Sequence, residues 1–204
     1  MDSIKNFLKI LIFYISVLLI SPVLIVYWLL SIFYKSDSLF SGFSQFLSLL
    51  PGKIGTYLRA AFFHFTLTLC SKDTVISFLV LLSQRDTELG SGVYIGPGCN
   101  IGKCKIGENT LLGSGVHIMS GKGQHYFDNL DIPIRDQGGE YEKITIGEDC
   151  WVGNGAMILA NIGDKCIVGS GSVVVNDVPD FSIVAGNPAK VIKTRKISIE
   201  SGVA

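Results

Sequence analysis

At 204 residues the chain has room for one ordinary domain and an appendage, and its 17 basic and 17 acidic side chains cancel to a formal charge of zero. That balance leaves no basic footprint for nucleic acid. Five cysteines, an odd number, exclude a fully paired secreted disulfide framework and point to a reducing, cytosolic setting.

The N-terminal part is the apolar one. From Ile10 to Tyr34 there are 25 residues without a charge, more than the ~20 a helix needs to cross a bilayer. Lys5 and Lys9 precede the run and Lys35 follows it. The run is too long for a signal-peptide core and lacks a small-residue cleavage site, so it predicts a membrane-inserted segment over residues 1–36. Pro22 in mid-run, with positive charge on both flanks, leaves a single crossing and a kinked re-entrant segment both open. Two further apolar stretches, Leu39 to Leu50 and Ile54 to Leu69, are split by Pro51-Gly52 and carry Lys53 and Arg59. They predict an interfacial helical linker over residues 37–74, with His64 as a packing residue.

From Leu89 onward an aliphatic residue followed by Gly recurs: Ile95-Gly96, Ile101-Gly102, Ile106-Gly107, Leu112-Gly113, Ile146-Gly147, Val152-Gly153, Ile162-Gly163 and Val168-Gly169. A six-residue period predicts a parallel β-helix, here over residues 75–195, followed by a tail at 196–204. The fifth position of each hexad is small or β-branched (Val93, Cys99, Thr110, Val116, Cys150, Ala156, Cys166, Ser172), as a thin core between short stacked strands requires. Three cysteines fall in that slot and read as core residues, while Cys70 and Cys104 fall outside it. The second-place glycines read as points of backbone freedom near corners.

The repeat breaks once at length, over residues 119–143. A regular coil has no pocket of its own, so this polar, Gly-rich loop is where chemistry is expected, and it carries His125. His117, in the outward sixth place of the Leu112 hexad, is the rival. Asp128 is a candidate to orient the imidazole.

The hexads, the His-bearing loop, the stretch Ile144-Thr145-Ile146-Gly147-Glu148-Asp149-Cys150-Trp151-Val152-Gly153 and the later Val184-Ala185-Gly186-Asn187-Pro188-Ala189-Lys190-Val191-Ile192 occur in a fixed order. In that order they resemble the hexapeptide-repeat acyltransferases of the maltose, galactoside and polysaccharide O-acetyltransferase type, over about residues 89 to 195. The resemblance implies a mainly β fold, a left-handed parallel β-helix behind an N-terminal hydrophobic, membrane-associated helical region. It further implies a homotrimer, and acetyl-CoA as acyl donor bound between neighbouring subunits. His125 would take the proton from an acceptor hydroxyl as it attacks the thioester, and backbone amides would stabilise the oxyanion.

Cofactor contacts carried over from the family fall on Trp151, Gly153, Asn154, Gly169, Ser170, Val175, Asn176, Lys190 and Lys193, with Arg195 a further cation suited to the phosphates. Val175-Asn176 departs from the Thr-Lys of the sugar acetyltransferases. The step from Ile158 to Ile162 is also shorter than a hexad, so the acceptor of the soluble relatives does not transfer. No metal is expected. The implied function is acetyl transfer to a hydroxyl of a saccharide, or of a lipid-linked glycan, in cell-envelope polysaccharide synthesis, with the catalytic domain on the cytoplasmic side of the membrane. The alternatives are a non-catalytic trimeric membrane scaffold and a β-helix zinc enzyme of the carbonic-anhydrase type, for which His64 would have to join His117 and His125.

Overall fold

The structure is a computed structural model that describes residues 2–34 and 36–196, with side chains from residue 7 onward. The expected flanking charges Lys35 and Lys5 (its side chain), and the tail beyond Lys196, lie outside the described residues. Three helices precede the strands: α1 (Asp2–Phe33), α2 (Asp37–Ser48) and α3 (Gly52–Thr66).

Short strands then follow in threes. β1 (Leu69–Cys70), β2 (Val75–Ile76) and β3 (Leu81–Leu82) make the first turn, and β4 (Glu88–Leu89), β5 (Tyr94–Ile95) and β6 (Asn100–Ile101) the second. β7 (Cys104–Ile106), β8 (Leu111–Leu112) and β9 (His117–Ile118) make the third, and β10 (Ile144–Ile146), β11 (Trp151–Val152) and β12 (Met157–Ile158) the fourth. β13 (Ile167–Val168) and β14 (Val173–Val174) lead to a closing hairpin of β15 (Ser182–Gly186) and β16 (Ala189–Thr194).

Each strand stacks in parallel on the strand one turn earlier, which makes three flat faces, with the closing β15–β16 pair antiparallel. The first face runs β1-β4-β7-β10, the second β2-β5-β8-β11-β13-β15-β16, and the third β3-β6-β9-β12-β14. On the first face the ladder continues past β10 as single bridges, Ile146 to Ile162 and Ile162 to Val178. This is where the shortened step from Ile158 to Ile162 leaves no room for a full strand. The chain is thus a parallel β-solenoid behind a long apolar helix.

The first turn reaches further toward the N-terminus than the aliphatic-Gly pattern indicates. Cys70-Ser71, Ile76-Ser77 and Leu82-Ser83 keep the period of six with Ser in place of Gly, and Cys70, Ile76 and Leu82 are buried. Cys70 is therefore a core residue in the inward aliphatic slot. Cys104 is one too, paired with Ile144 on the first face.

The second-place glycines are needed for a different reason from the one the repeat suggests. Positive φ falls two residues later, at Gly92, Gly98, Gly115, Gly155 and Gly171, and at Asn109, Asp149 and Lys165. At the second place the constraint is space: a Cβ on Gly153 would stand 2.5 Å from the Ser170 amide nitrogen in the next turn. Stacking of coils at strand spacing leaves no room for a side chain at that corner.

The helices cap the open end of the solenoid. α1 lays one stripe (Phe13, Ser16, Ile20, Leu24, Tyr27) against the rest of the protein, at the three- and four-residue spacing of a helix face. Tyr27 packs edge-on to Phe43 of α2 and Phe62 of α3. Phe40, Phe62 and Phe63 are fully buried, each contributing on the order of 1.5–3 kcal/mol.

Arg59 fastens the cap. Fully buried, it donates from Nε to the Ile76 carbonyl at 2.9 Å and from Nη1 to the carbonyls of Leu47 at 3.0 Å and Leu50 at 2.6 Å. The two latter acceptors lie at the C-terminal end of α2, where carbonyls are left over and the helix dipole favours a cation. Burial lowers its pKa to about 10, so it stays charged at neutral pH. His64 is a packing residue: its Nδ1 lies 2.6 Å from the Cys70 carbonyl, which can only accept, and its ring meets Phe13 edge-on at 5.3 Å.

Candidate active site

The interruption after β9 is a two-legged arm. Its outgoing and returning legs are joined by backbone hydrogen bonds from Glu142 to Ser120, Glu140 to Gly123 and Tyr126 to Gly138. The legs close only because residue 139 is Gly, since a Cβ there would collide with the Gln124 carbonyl. At the tip, the Gln137 amide donates to the carbonyls of Asn129 and Ile132, both at 2.8 Å, and gives a segment without strands a fixed shape.

Both roots are tied to the solenoid. Lys122 donates to the Val175 carbonyl at 2.9 Å, and the Ser120 hydroxyl accepts from the Lys103 amide at 2.8 Å. On the return leg Lys143 pairs with Asp86 and Glu88, each at 2.6 Å. Desolvation opposes the charged form of Lys143, but its hydrogen bonds to the two carboxylates prevail and raise its pKa. The hydrogen bond from Lys143 leads in holding the Asp86 carboxyl below its ordinary range.

His125 sits on this arm, three residues beyond Lys122, exposed and with its imidazole in no hydrogen bond among the described residues. Asp128 is exposed and does not bond to it. His117 is half-buried on the outer side of the third face, in register with Asn100 and Met157. Both histidines therefore belong to the same side of the solenoid, and the arm leaves from the corner between the third and first faces.

The expected cofactor residues divide between two places. Val175 and Asn176 follow β14 at the corner beside the arm's root, as the Lys122 bond requires. Trp151, 57% exposed, stands on the second face. It shares an outward row with Ile167, Ile183 and Lys193, each in register with the next. Three strand spacings place Lys193 about 14 Å from Trp151 along that row.

Lys190 joins the same side for a reason the spacing hides. Residues three apart on a regular strand point to opposite faces, but the register shifts between Ile183 and Val184. The resulting bulge at Ile192 puts Lys190, opposite Ala185, on the same side as Lys193, opposite Ile183. Arg195 instead turns back to the Lys165 carbonyl, at 2.9 Å, and to Asp149, at 3.7 Å.

At the corner between the second and third faces, Gly153, Asn154, Gly169 and Ser170 stack in adjacent turns. The Asn154 side-chain oxygen accepts from the Ser114 amide at 2.9 Å, so it serves the corner as well as facing out. No hydrogen bond or ion pair among the described residues joins the His125 arm to the second face. One chain thus presents a histidine on one side and an aromatic-cationic row on another. Among the described residues, no three His, Cys, Asp or Glu side chains are grouped to hold a metal ion.

Residues 86–121 match the family described as bacterial transferase hexapeptide (six repeats). Over that stretch the chain carries hexapeptide repeats of the kind found in bacterial transferases. No curated protein sequence matches it. By fold it is similar to a maltose O-acetyltransferase from Clostridium difficile 630, with TM-score 0.65 and 24% identity over 77% of this chain and 87% of the other. It is also similar to a hexapeptide-repeat acetyltransferase from Vibrio cholerae, with TM-score 0.55 and 18% identity over 79% and 93% of the two chains. A third similar fold is a mutant of AntD, an N-acyltransferase from Bacillus cereus, solved with dTDP-4-amino-4,6-dideoxyglucose and coenzyme A, with TM-score 0.51 and 17% identity over 63% and 74%. These likenesses are likenesses of fold.

Among the residues that sequence reasoning passes over are Lys122 and Lys143, the two anchors of the arm. Their position near the start and at the end of a polar insert is the signal that was available, although Lys143 reaches back to Asp86 and Glu88 while Lys122 reaches forward to the Val175 carbonyl.

Proposed function

We propose that this chain is an acetyl-CoA-dependent acyltransferase that acetylates a hydroxyl of a saccharide, held at a membrane face, with His125 as general base. The observation that carries this reading is a hexapeptide solenoid interrupted once, by an arm anchored at both ends that leaves its single histidine exposed. A scaffold has no use for such an arm, whereas an acceptor hydroxyl needs a base within reach. An imidazole can take up a proton and give it back, which suits that role.

His125 Nε2 or Nδ1 accepts the hydroxyl proton as the acceptor oxygen bonds to the acyl carbon, and returns it to the departing thiolate when the carbon–sulfur bond breaks. Backbone amides at the solenoid corners are the donors available to the negative charge that develops on the acyl oxygen. Trp151, Ile167 and Ile183 offer an apolar row for the donor's pantetheine arm, and Lys190 and Lys193 offer cations for its phosphates. Because arm and row lie on different sides of one solenoid, the complete site is expected between neighbouring copies. A homotrimer related along the solenoid axis meets that need.

The membrane reading rests on α1. Phe7–Phe33 is long and apolar enough to cross a bilayer. One stripe of it is packed on α2 and α3, while the other side exposes Leu18, Leu19, Ile25, Trp28, Leu29, Ile32 and Phe33. A helix glued along the stretch from Phe13 to Tyr27, about 21 Å at 1.5 Å per residue, is suited to lie side-on in the interface with the solenoid on the cytoplasmic side. The test is thiol release from acetyl-CoA by the full chain with a panel of saccharide and lipid-linked saccharide acceptors. Neither release nor CoA binding, from protein that is folded and trimeric, would leave the scaffold reading in its place.

A further inference from the structure

A second concave site lies far from the arm, where α1, α3 and the first turn of the solenoid meet. It is a cleft of about 460 Å³, within the range of ligand sites. Each helix contributes residues at i, i+1 and i+4: Lys9, Ile10 and Phe13 from α1, and Thr56, Tyr57 and Ala60 from α3. The segment Lys72 to Val75 closes it. Its walls are mainly apolar, and its two cations carry no matching acid. Among the described residues neither Lys9 nor Lys72 is in an ion pair.

The one carboxylate nearby is already engaged. Asp73 accepts from the hydroxyls of Ser71 at 2.6 Å and Ser91 at 2.9 Å and from the Gly92 amide at 3.1 Å. The Lys72 ammonium is instead held by aromatic groups, 5.4 Å from the Phe13 ring centre and 5.1 Å from that of Tyr14, and it donates to the Tyr14 hydroxyl at 3.2 Å. Aromatic faces hold a cation in place without neutralising it, so it keeps its attraction for an anion.

The position of the cleft selects the kind of anion. Lys9 is the last charge before the uncharged run of α1, so it stands at the edge of the apolar surface that the side-on helix lays into the interface, and lysines at such an edge reach toward headgroups. The cleft opens beside the exposed apolar side of the same helix, where Ile10 is 54% and Tyr14 54% exposed. A small soluble anion would leave the apolar walls wet, and a neutral lipid would leave two cations unmatched.

We infer that this cleft binds one anionic lipid, with its phosphate at Lys9 and Lys72 and a hydrocarbon chain against Ile10, Phe13, Tyr57 and Val75. The inference rests on the membrane placement proposed above. It adds a reason for the first turn of the solenoid to be held at headgroup level: a bound lipid bridges α1 to that turn and sets the depth of the whole domain.

The experiment is native mass spectrometry of the full chain in detergent, titrated separately with dioleoylphosphatidylglycerol, dioleoylphosphatidylcholine and inorganic phosphate. One phosphatidylglycerol is expected to be retained about 30-fold more strongly than phosphatidylcholine, the weight of two lysines near an anionic surface, with no adduct from phosphate alone. The preference is expected to vanish in the Lys9→Gln, Lys72→Gln double variant. It is also expected to vanish in Val75→Trp, which fills the cleft from an outward strand position and leaves both charges, circular dichroism reporting that each variant is folded. Equal retention of the two lipids, an unchanged preference in the double variant, or phosphate binding as tightly as the lipid would overturn the site. Flotation of the wild-type chain with phosphatidylcholine vesicles separates the two readings: flotation without lipid preference removes only the cleft, whereas no flotation with any vesicle removes the membrane placement itself.

Discussion

The ammonium of Lys122 donates to the backbone carbonyl of Val175 at 2.9 Å, and so ties the root of the His125 arm to the solenoid two turns further on. Lys143 makes the opposite tie, back to Asp86 and Glu88 two turns earlier. The arm is therefore held across several turns of a rigid support, which is how a loop without regular structure keeps a base in one place. Replacing Lys122 by Met is expected to lower turnover about threefold, in keeping with a solvent-exposed bond, and to hasten proteolysis within residues 119–143. In Lys143→Met the loss is expected to be greater and to shrink at high salt, as ion pairs are screened. Steady-state thiol release and timed digestion check both. Unaltered arm protection in the double variant would sink the anchoring role.

Replacing His125 by Ala is expected to reduce turnover by about 10²–10⁴-fold, the range for loss of a positioned general base, with little change in the KM for acetyl-CoA. His117→Gln is expected to stay within about threefold of wild type on the same scale. The decisive measurement is the pair of kcat values, and a larger loss at position 117 would reverse the assignment.

The row on the second face predicts a binding effect separate from chemistry. Lys190→Gln and Lys193→Gln together are expected to raise the KM for acetyl-CoA about 30-fold, each charged contact contributing on the order of 1 kcal/mol, with kcat retained. Deleting Ile192 removes the bulge but leaves the two lysines two residues apart, which a regular strand also places on one side, so that variant is expected to keep its affinity for coenzyme A. Titration calorimetry with coenzyme A reads both, and unchanged affinity in the double substitution would remove the row from the donor site.

Arg59 has no counter-ion among the described residues, and its acceptors are three carbonyls and the Thr56 hydroxyl at 3.4 Å. Arg59→Met is expected to cost about 3 kcal/mol or more, because the buried carbonyls of Ile76, Leu47 and Leu50 lose charged donors that a thioether cannot replace. Urea unfolding in detergent measures it. A change of less than about 1 kcal/mol, the scale of an ordinary neutral hydrogen bond, would mean that water takes over the acceptors.

The thiols predict an alkaline limit. Burial pushes Cys70 and Cys104 up to about 12 and Cys150 to about 11, from an unfolded value of 9.0. Above pH 9 the unfolded chain releases protons that the folded chain keeps, so unfolding gains free energy as pH rises. Stability is thus full below about pH 9 and falls progressively from there toward about pH 12. Urea midpoints across that window check the sign, and Cys104→Ala is expected to flatten the slope. Iodoacetamide at pH 8 is expected to label the native chain slowly at all five buried sites.

The solenoid was legible because its signal is local and repeated. An inward aliphatic every six residues and a small residue four places later suffice to predict strands, and the fifth-position residues from Val93 to Ser172 are buried as that pattern requires. The first strand of the first turn, Leu69–Cys70, falls before the expected start at residue 75, because Ser stands where later hexads have Gly, although Cys70, Ile76 and Leu82 keep the period. The second-place glycines are visible in the sequence, but the reason for them is not. Positive φ is a property of one residue, whereas the crowding of Gly153 by Ser170 belongs to two turns that are neighbours only in space.

Composition and period by themselves determined the β-helix, its interruption at residues 119–143, the apolar helix ahead of it and the types of residue that chemistry would use. Only the tertiary structure decided which side each of them occupies: His125 with Val175 and Asn176 at one corner, Trp151 with Lys190 and Lys193 on another face, and Lys9 with Lys72 in a cleft beneath α1. A repeat encodes which residues point in or out along the chain. Which outward residues become neighbours depends on coil stacking, a bulge at Ile192 and two anchoring lysines, all contacts between positions distant in sequence.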